Sequence, residues 1–218
     1  MPPIVRPFPG GLFAEVTYLV YAPPAPDAVL VDPGAAAPEA LRFAERQGLR
    51  IVALLLTHAH LDHIEGVPAA TAATGAPLYL HPADAPLYEA AAEQAAAFGL
   101  PAPPPLPTPD EALAHGQRLV FGPLTFEVRH LPGHAPGHVV FVADGFALVG
   151  DTVFRGSIGR TDLPGGDLPT LVDGIRRQLF TLPDATVLHP GHGPETTVGW
   201  ERRTNPFLVP QYGGSAFA

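Results

Sequence analysis

The chain has 218 residues, 46% of them hydrophobic, so it can bury one sizeable core, and we expect a single domain spanning residues 1–218. It contains no cysteine, which excludes disulfides and thiolate metal sites and leaves His, Asp and Glu as candidate metal ligands. A formal charge of −9, with only 12 basic residues, argues against nucleic acid as a partner, because nucleic-acid binding needs many cations against phosphates.

The amino-terminal stretch MPPIVRPFPGG has neither a basic start followed by an apolar segment nor a cleavage site of small residues. No apolar run approaches the ~20 residues that a membrane span requires. We therefore expect a cytoplasmic protein that does not bind membranes.

Short β-branched or alternating runs predict strands at residues 15–21, 28–32, 51–57, 77–80, 124–131, 138–143, 146–150 and 185–189. Helical periodicity predicts helices at residues 37–48, 62–74, 84–99 and 167–180. Strand and helix alternate in the first half, whereas residues 118–150 consist of consecutive strands. This mixture predicts sheets flanked by helices rather than one purely parallel sheet. The proline-rich residues 100–109 are interpreted as a stiff surface connector.

Potential metal ligands follow directly on several predicted strands. The strand at 51–57 leads into a cluster of four, and three later strands lead into single candidates: His134, Asp151 and His192. Because strand ends meet at one edge of a sheet, and open α/β folds place their sites there, we expect these side chains to lie close together.

The cluster lies in the stretch THAHLDHIEG, residues 57–66. His58 and His60, two apart in an extended chain, can face the same side, while Asp62 and His63 begin a helix and reach a neighbouring point. Taken alone, Asp62 is equally consistent with a helix N-cap, and a single loop histidine usually binds nothing. The whole set predicts a metal site, because so many ligand types rarely fall together by chance.

These residues resemble the metallo-β-lactamase superfamily and, more narrowly, its small bacterial glyoxalase II-like branch. The signature His-x-His-x-Asp-His is matched by His58, His60, Asp62 and His63. The histidine of a Pro-Gly-His turn, the aspartate after a strand and the final histidine are matched by His134, Asp151 and His192. The stretches GDTVFRGSIGRTDLPGGD and PGHGPETTVGWERRTNPFL resemble that branch as well.

The resemblance implies an α+β fold, a four-layer αββα sandwich with the site at one edge between two mixed sheets. It implies a first metal ion on His58, His60 and His134, a second on Asp62, His63 and His192, and Asp151 bridging the two. Asp32 and His138 are expected beside the site, where they support ligands without touching metal; a plain turn before Pro-Gly explains Asp32 equally well.

Two adjacent divalent ions would deprotonate a shared water, and the resulting hydroxide would attack a carbonyl carbon. Zinc is the expected metal, and iron or manganese are alternatives. Asp62 would accept a hydrogen bond from this nucleophile. The predicted function is thioester hydrolysis, with S-D-lactoylglutathione or a related small-molecule thioester as substrate. Ser157 and Arg160 are candidate substrate-binding residues, although Arg160 could equally pair with Asp162 and only hold its loop.

Three alternatives stay open at this point. A persulfide dioxygenase of the same superfamily would bind one iron through His58, His134 and Asp151. Lactone hydrolysis uses the same attack on a carbonyl, and a non-catalytic metal-binding protein could keep the fold. The oligomeric state and the recognition of glutathione are not determined by the sequence.

Overall fold

The computed structural model describes residues 2–209, and its strands form two six-stranded sheets and a small hairpin. The first sheet contains, in spatial order, β1 (Ile4–Gly10), β2 (Glu15–Tyr21), β3 (Asp27–Val31), β4 (Arg50–Leu55), β5 (Leu78–Leu80) and β6 (Glu111–Ala112). The second contains, in chain order, β7 (Arg118–Phe121), β8 (Leu124–His130), β9 (Val139–Ala143), β10 (Phe146–Gly150), β13 (Val187–Pro190) and β14 (Thr196–Thr197). The hairpin contains β11 (Val153–Phe154) and β12 (Ser157–Ile158).

Both sheets are mixed, as the sequence predicts. Strands β1 to β3 pair antiparallel, whereas β3 to β6 pair parallel. In the second sheet β10 pairs parallel with β13, and the other pairs are antiparallel. Parallel neighbours require crossovers, and the helices between β3, β4 and β5 provide them.

The helices are α1 (Ala37–Arg46), α2 (Leu61–Ile64), α3 (Val67–Thr74), a 3₁₀ turn (Pro82–Asp84), α4 (Ala85–Glu89), α5 (Ala91–Ala97), α6 (Leu168–Gly174), a π-helical turn (Ile175–Leu179) and α7 (Val198–Thr204). The single helix predicted at 62–74 is wrong in one respect, because it is divided at Gly66. The amide of Gly66 donates to the carbonyl of Pro33, and a Cβ there would lie 2.1 Å from the carbonyl oxygen of Gly34. The predicted helix at 84–99 is likewise divided, at Ala90.

Three apolar clusters separate four layers. One lies between the first sheet and α1 to α5, one between the two sheets, and one between the second sheet and α6 with the π-helical turn. Phe126 and Phe141 are fully buried in the central cluster, where each contributes about 1.5–3 kcal/mol relative to an exposed side chain. This αββα arrangement confirms the fold that the sequence implied.

Hydrogen bonds join the two sheets at one edge. The amide of Val139, at the start of β9, donates to Thr57 after β4 (2.8 Å), and the Tyr18 hydroxyl donates to the carbonyl of Pro190 (2.8 Å). The loops that follow β4, β8, β10 and β13 meet at this edge, which is where the sequence predicted the ligand clusters. Among residues 2–209, no helix has the length and apolar character needed to cross a membrane.

Candidate metal centre

Three imidazoles from two loops form the first ligand group. His58 and His60 follow β4, and His134 lies in the loop between β8 and β9. The Nε2 atom of His134 lies 2.8 Å from Nδ1 of His60 and 3.2 Å from Nε2 of His58. Donors bound at 2.0–2.1 Å to one tetrahedral ion are about 3.3 Å apart, so the three nitrogens converge as ligands of one ion do.

Hydrogen bonds on the far side of two rings determine which nitrogen carries the proton. Nδ1 of His134 donates to the carbonyl of Arg160 (2.7 Å). Nδ1 of His58 lies 3.0 Å from the Thr57 hydroxyl, which itself donates to Asp32 (2.7 Å) and is therefore free to accept. Each ring thus turns an Nε2 lone pair toward the site, as a metal-binding histidine must.

The second group contains Asp62, His63 and His192. Helix α2 presents Asp62 and His63, and the turn after β13 presents His192. Nε2 of His192 lies 3.2 Å from Oδ2 of Asp62, and Nε2 of His63 lies 3.9 Å from the same oxygen. His63 Nδ1 lies 3.0 Å from Oδ2 of Asp32, and His192 Nδ1 donates to the carbonyl of Phe13 (3.0 Å), so both Nε2 lone pairs also face inward.

Asp151 lies between the groups. Its Oδ2 is 3.6 Å from Nε2 of His134 and 3.4 Å from Nε2 of His192, while Oδ1 is 3.4 Å from Nε2 of His63. This close approach requires glycine at position 191, since a Cβ there would lie 2.2 Å from Oδ1 of Asp151. The carboxylate is positioned to bridge two ions, and the bridging itself stays a prediction.

The donors fit divalent metal ions. Nε2 of His63 and Oδ1 of Asp151 are buried without a hydrogen-bond partner, an unfavourable situation that an ion between them would relieve. Burial lowers the pKa of His58 and His134, and it lowers that of His60 to about 3, so these rings are neutral and can ligate.

The second group attracts cations. Burial opposes the charged form of His63, but the carboxylates of Asp151 and Asp62 outweigh burial and raise its pKa well above the usual value. The same contact lowers the pKa of Asp151 despite its burial. An electrostatic field that holds a proton on His63 also favours a metal ion at that position.

Asp32 and His138 both contact the ligands, as the sequence suggested. Asp32 accepts the amide and the hydroxyl of Thr57 (both 2.7 Å) and contacts His63, so it is more than a turn residue. His138 stacks on His58, with ring centroids 4.7 Å apart, and its Nε2 accepts the amide of Asp151 (3.0 Å). Asp62 lies inside helix α2, whose N-cap is His60, so the N-cap reading of Asp62 is wrong.

Two buried carboxyls beside the site were missed by the sequence reasoning. Asp84 looks like an N-cap, yet it does not cap its helix: it accepts the amides of Ala59 (2.9 Å) and Gly137, joining the two loops of the first group. Burial raises its pKa to about 6 although both amides oppose the shift.

Glu15 lies 4.0 Å from Nδ1 of His63, and nothing in the local sequence distinguishes it from any other strand-end glutamate.

A cavity of about 360 Å³ opens onto both groups. Ser157 and Arg160 line it, as predicted for substrate-binding residues. The guanidinium of Arg160 makes two hydrogen bonds to Asp162 (2.7 and 2.8 Å), and Asn205 holds the carbonyl of Ser157 (2.8 Å). Their contact with a substrate stays a prediction.

The fold and this geometry match a known family. A family model described as the metallo-β-lactamase superfamily matches residues 10–192. The chain belongs to the metallo-β-lactamase superfamily. All seven ligand candidates lie within the matched residues. Membership of the superfamily supports a metal-binding site that contains histidines, and the seven individual ligand assignments stay predictions.

Members of the superfamily with assigned activities are among the similar proteins. Hydroxyacylglutathione hydrolase GloC of Haemophilus influenzae is 40% identical over 186 residues, covering 84% of this chain and 87% of its own. The crystal structure of TTHA1623 in a di-iron-bound form has a TM-score of 0.85 and 48% identity, covering 94% of this chain and all of its own. The BLEG-1 B3 metallo-β-lactamase has a TM-score of 0.88 and 36% identity, with the same coverage. The superfamily and these relatives support a metal-dependent hydrolase.

Proposed function

We propose that this protein hydrolyses small-molecule thioesters with a pair of divalent metal ions. Zinc is the expected metal, and iron or manganese are the alternatives. The completeness of the second ligand group carries the proposal: Asp62, His63 and His192 offer three donor atoms within 4.8 Å of one another, beside an equally complete first group. One catalytic ion needs three protein ligands and an open position, so two such groups suit two ions. Similarity to hydroxyacylglutathione hydrolase supports the thioester, and similarity to a protein with a di-iron form supports iron as the alternative metal.

Two bound divalent ions would lower the pKa of a water molecule and polarise the substrate carbonyl. Asp62 supplies the proton acceptor beside them. Burial opposes ionisation of Asp62, but the neighbouring His63 and His192 outweigh it and lower the pKa, so the carboxylate is charged at neutral pH. It lines the cavity, where it can accept a hydrogen bond from the attacking water.

The reaction forms a C–O bond from the water oxygen to the carbonyl carbon and breaks the C–S bond. The sulfur leaves with the electron pair as a thiolate, one water proton passes through Asp62 to solvent, and the other is lost when the carboxylic acid product ionises. Because a thiolate is already a stable anion, no general acid is needed at the leaving group, and the described residues of the cavity present no uncommitted acid there. An amide would need one.

The rival reactions make different use of the same groups. A mononuclear persulfide dioxygenase would need only His58, His134 and Asp151, which would leave the second group without a function. Lactones and β-lactams carry a carbonyl open to the same attack, and the similarity to a B3 metallo-β-lactamase makes the β-lactam worth assaying.

The test is metal analysis of the purified protein beside turnover assays. We expect close to two metal ions per chain and hydrolysis of thioesters, S-D-lactoylglutathione among those assayed. One iron per chain with oxygen uptake on a glutathione persulfide would select the dioxygenase. Turnover of lactones or β-lactams alone, or of none of these compounds, would also overturn the proposal.

Two variants test whether the thioester hydrolysis depends on the metal centre. His192→Ala removes a ligand of the second group, and we expect a loss of thioester turnover of at least a hundredfold together with one metal ion per chain. His115→Ala is the matched control, since His115 is exposed and does not line the cavity. Equal activity of both variants would show that the second group is not used.

A further inference from the structure

Beyond the metal ligands, the walls of the cavity are mostly apolar, and Gln94, Ser157 and Arg160 are the polar side chains among them. Phe13, Leu61, Phe98, Phe154, Ile158 and Leu163 surround the opening to the ligand groups. They come from four separate segments, namely the β1–β2 turn, the region of α2, the end of α5 and the β11–β12 hairpin with the loop that follows it. Such a wall stabilises a bound group in proportion to the apolar surface that it covers.

Two phenylalanines pair at the rim. Phe13 and Phe98 make an edge-to-face contact with ring centroids 5.0 Å apart and ring planes at 69°. Phe98 is 45% exposed, and its ring lies beside the other apolar side chains that line the cavity. Its free face is available to a substrate, and Gln94 is the one residue of the preceding helix α5 that also lines the cavity.

Gln94 and Arg160, two polar side chains of the wall, already make hydrogen bonds within the protein, whereas the Ser157 hydroxyl makes only one of 3.5 Å, to the carbonyl of Ile158. Gln94 accepts the amide of Leu61 (3.0 Å) and donates to the carbonyls of Ala59 (3.0 Å) and Leu87 (2.8 Å), which uses both of its amide hydrogens. Arg160 is bound at two points by Asp162. Residues 210–218, outside the described part of the chain, contain no Lys or Arg.

Arg160 is the only lysine or arginine among the described residues that line the cavity, and a charged substrate arm would have to compete with Asp162 for it. Moving a carboxylate against apolar side chains without a partner costs free energy, whereas an uncharged arm gains from the same contact. Glutathione carries carboxylates on the arm that would lie here, and this wall does not complement them.

We propose that Phe13 and Phe98 form an aromatic clamp that selects thioesters with an uncharged apolar arm over glutathione thioesters. The proposal rests on the proposed thioester hydrolysis and adds the substrate class. Phe98 is the specificity-determining residue, because its ring is the exposed member of the pair. Phe13 supports that ring, and its backbone carbonyl also orients His192.

The test compares two substrates that share one acyl group, S-D-lactoylglutathione and the D-lactoyl thioester of benzyl mercaptan. We expect kcat/KM for the benzyl thioester to exceed that for the glutathione thioester by at least about tenfold. Phe98→Ala should lower the benzyl value about tenfold, mainly through KM, and change the glutathione value less than about twofold. Phe207→Ala, an exposed phenylalanine outside the cavity, is the matched control and should change neither.

The outcomes separate the clamp from the proposed function. Equal or better turnover of S-D-lactoylglutathione, or an unchanged benzyl value in Phe98→Ala, overturns the clamp and leaves thioester hydrolysis standing. If neither thioester is cleaved, the proposed function fails, and calorimetric titration with the uncleavable benzyl thioether decides the clamp. About tenfold weaker binding to Phe98→Ala than to the parent supports it, and equal binding overturns it.

Discussion

The carboxylate of Asp32 lies 3.0 Å from Nδ1 of His63, and the same carboxylate accepts the hydroxyl of Thr57. Thr57 in turn contacts Nδ1 of His58 (3.0 Å). A single buried residue therefore orients one imidazole of each ligand group, directly in the second group and through a hydroxyl in the first. Such support sets the tautomer and the ring orientation before a metal arrives.

Asp32→Asn should weaken metal binding about 10- to 100-fold, the usual effect of losing a partner that orients a ligand. Asparagine tolerates the left-handed conformation of this residue (φ 48°), so the fold should be retained. Competition with a chromophoric chelator measures the affinity of each site. Asp27→Asn, which only loses the exposed ion pair with Arg50, is the control. Equal affinities in the two variants would contradict the role of Asp32.

Asp84→Ala should destabilise the metal-free protein, because it leaves the buried amides of Ala59 and Gly137 without acceptors. Each such amide costs about 1–3 kcal/mol, so we expect the free energy of unfolding to fall by about 3 kcal/mol in urea titration. Asp173→Ala, which removes an exposed i,i+4 pair with Arg177, should change it by less than about 0.5 kcal/mol. Similar losses in both would indicate that Asp84 does not join the loops.

Glu15 should make the stability of the metal-free protein depend on pH. Burial raises its pKa from 4.5 to about 9, so between these values the folded state keeps a proton that the unfolded chain has lost. Stability from this group is complete below pH 4.5 and decreases as the pH rises toward 9. The glutamine side chain of the Glu15→Gln variant is uncharged at every pH. The stability of this variant relative to the parent should therefore increase between pH 6 and pH 9 in chelator-treated protein.

The measurement for Glu15 is the free energy of unfolding in urea at the two pH values. Glu39→Gln, on an exposed position of α1, is the control and should show no such trend. A constant difference between Glu15→Gln and the parent at pH 6 and pH 9 would mean that Glu15 is ionised at both.

The substitution Arg160→Ala should have little effect on thioester hydrolysis. Its guanidinium is bound by Asp162, and both side chains are more than half exposed, at 55% and 68%, so solvent screens the pair. The backbone carbonyl that accepts from His134 is retained. We expect kcat/KM for S-D-lactoylglutathione to stay within about threefold of the parent, and likewise in Asp162→Ala. A fall of more than tenfold in Arg160→Ala alone would mean that the arginine leaves Asp162 to bind the substrate.

Local patterns in the sequence were sufficient for much of this description. Alternating apolar runs marked most strands, since one face of each strand must be buried, and β8 and β10 begin where their runs begin. The four-ligand cluster was recognisable because its donors are adjacent in the chain. The elements that were not predicted include β1, the short hairpin at 153–158 and helix α7; each hairpin strand has two residues, too few to show a periodicity.

The chain by itself determined which side chains can bind metal, through their chemistry and their positions after strands. Only the tertiary structure decided which of them converge, because His134, Asp151 and His192 reach the cluster across two packed sheets. It also decided the surroundings of Glu15, Asp84 and Phe98. A buried carboxyl or a rim aromatic acquires its function from neighbours that are distant in sequence, and no local pattern records those neighbours.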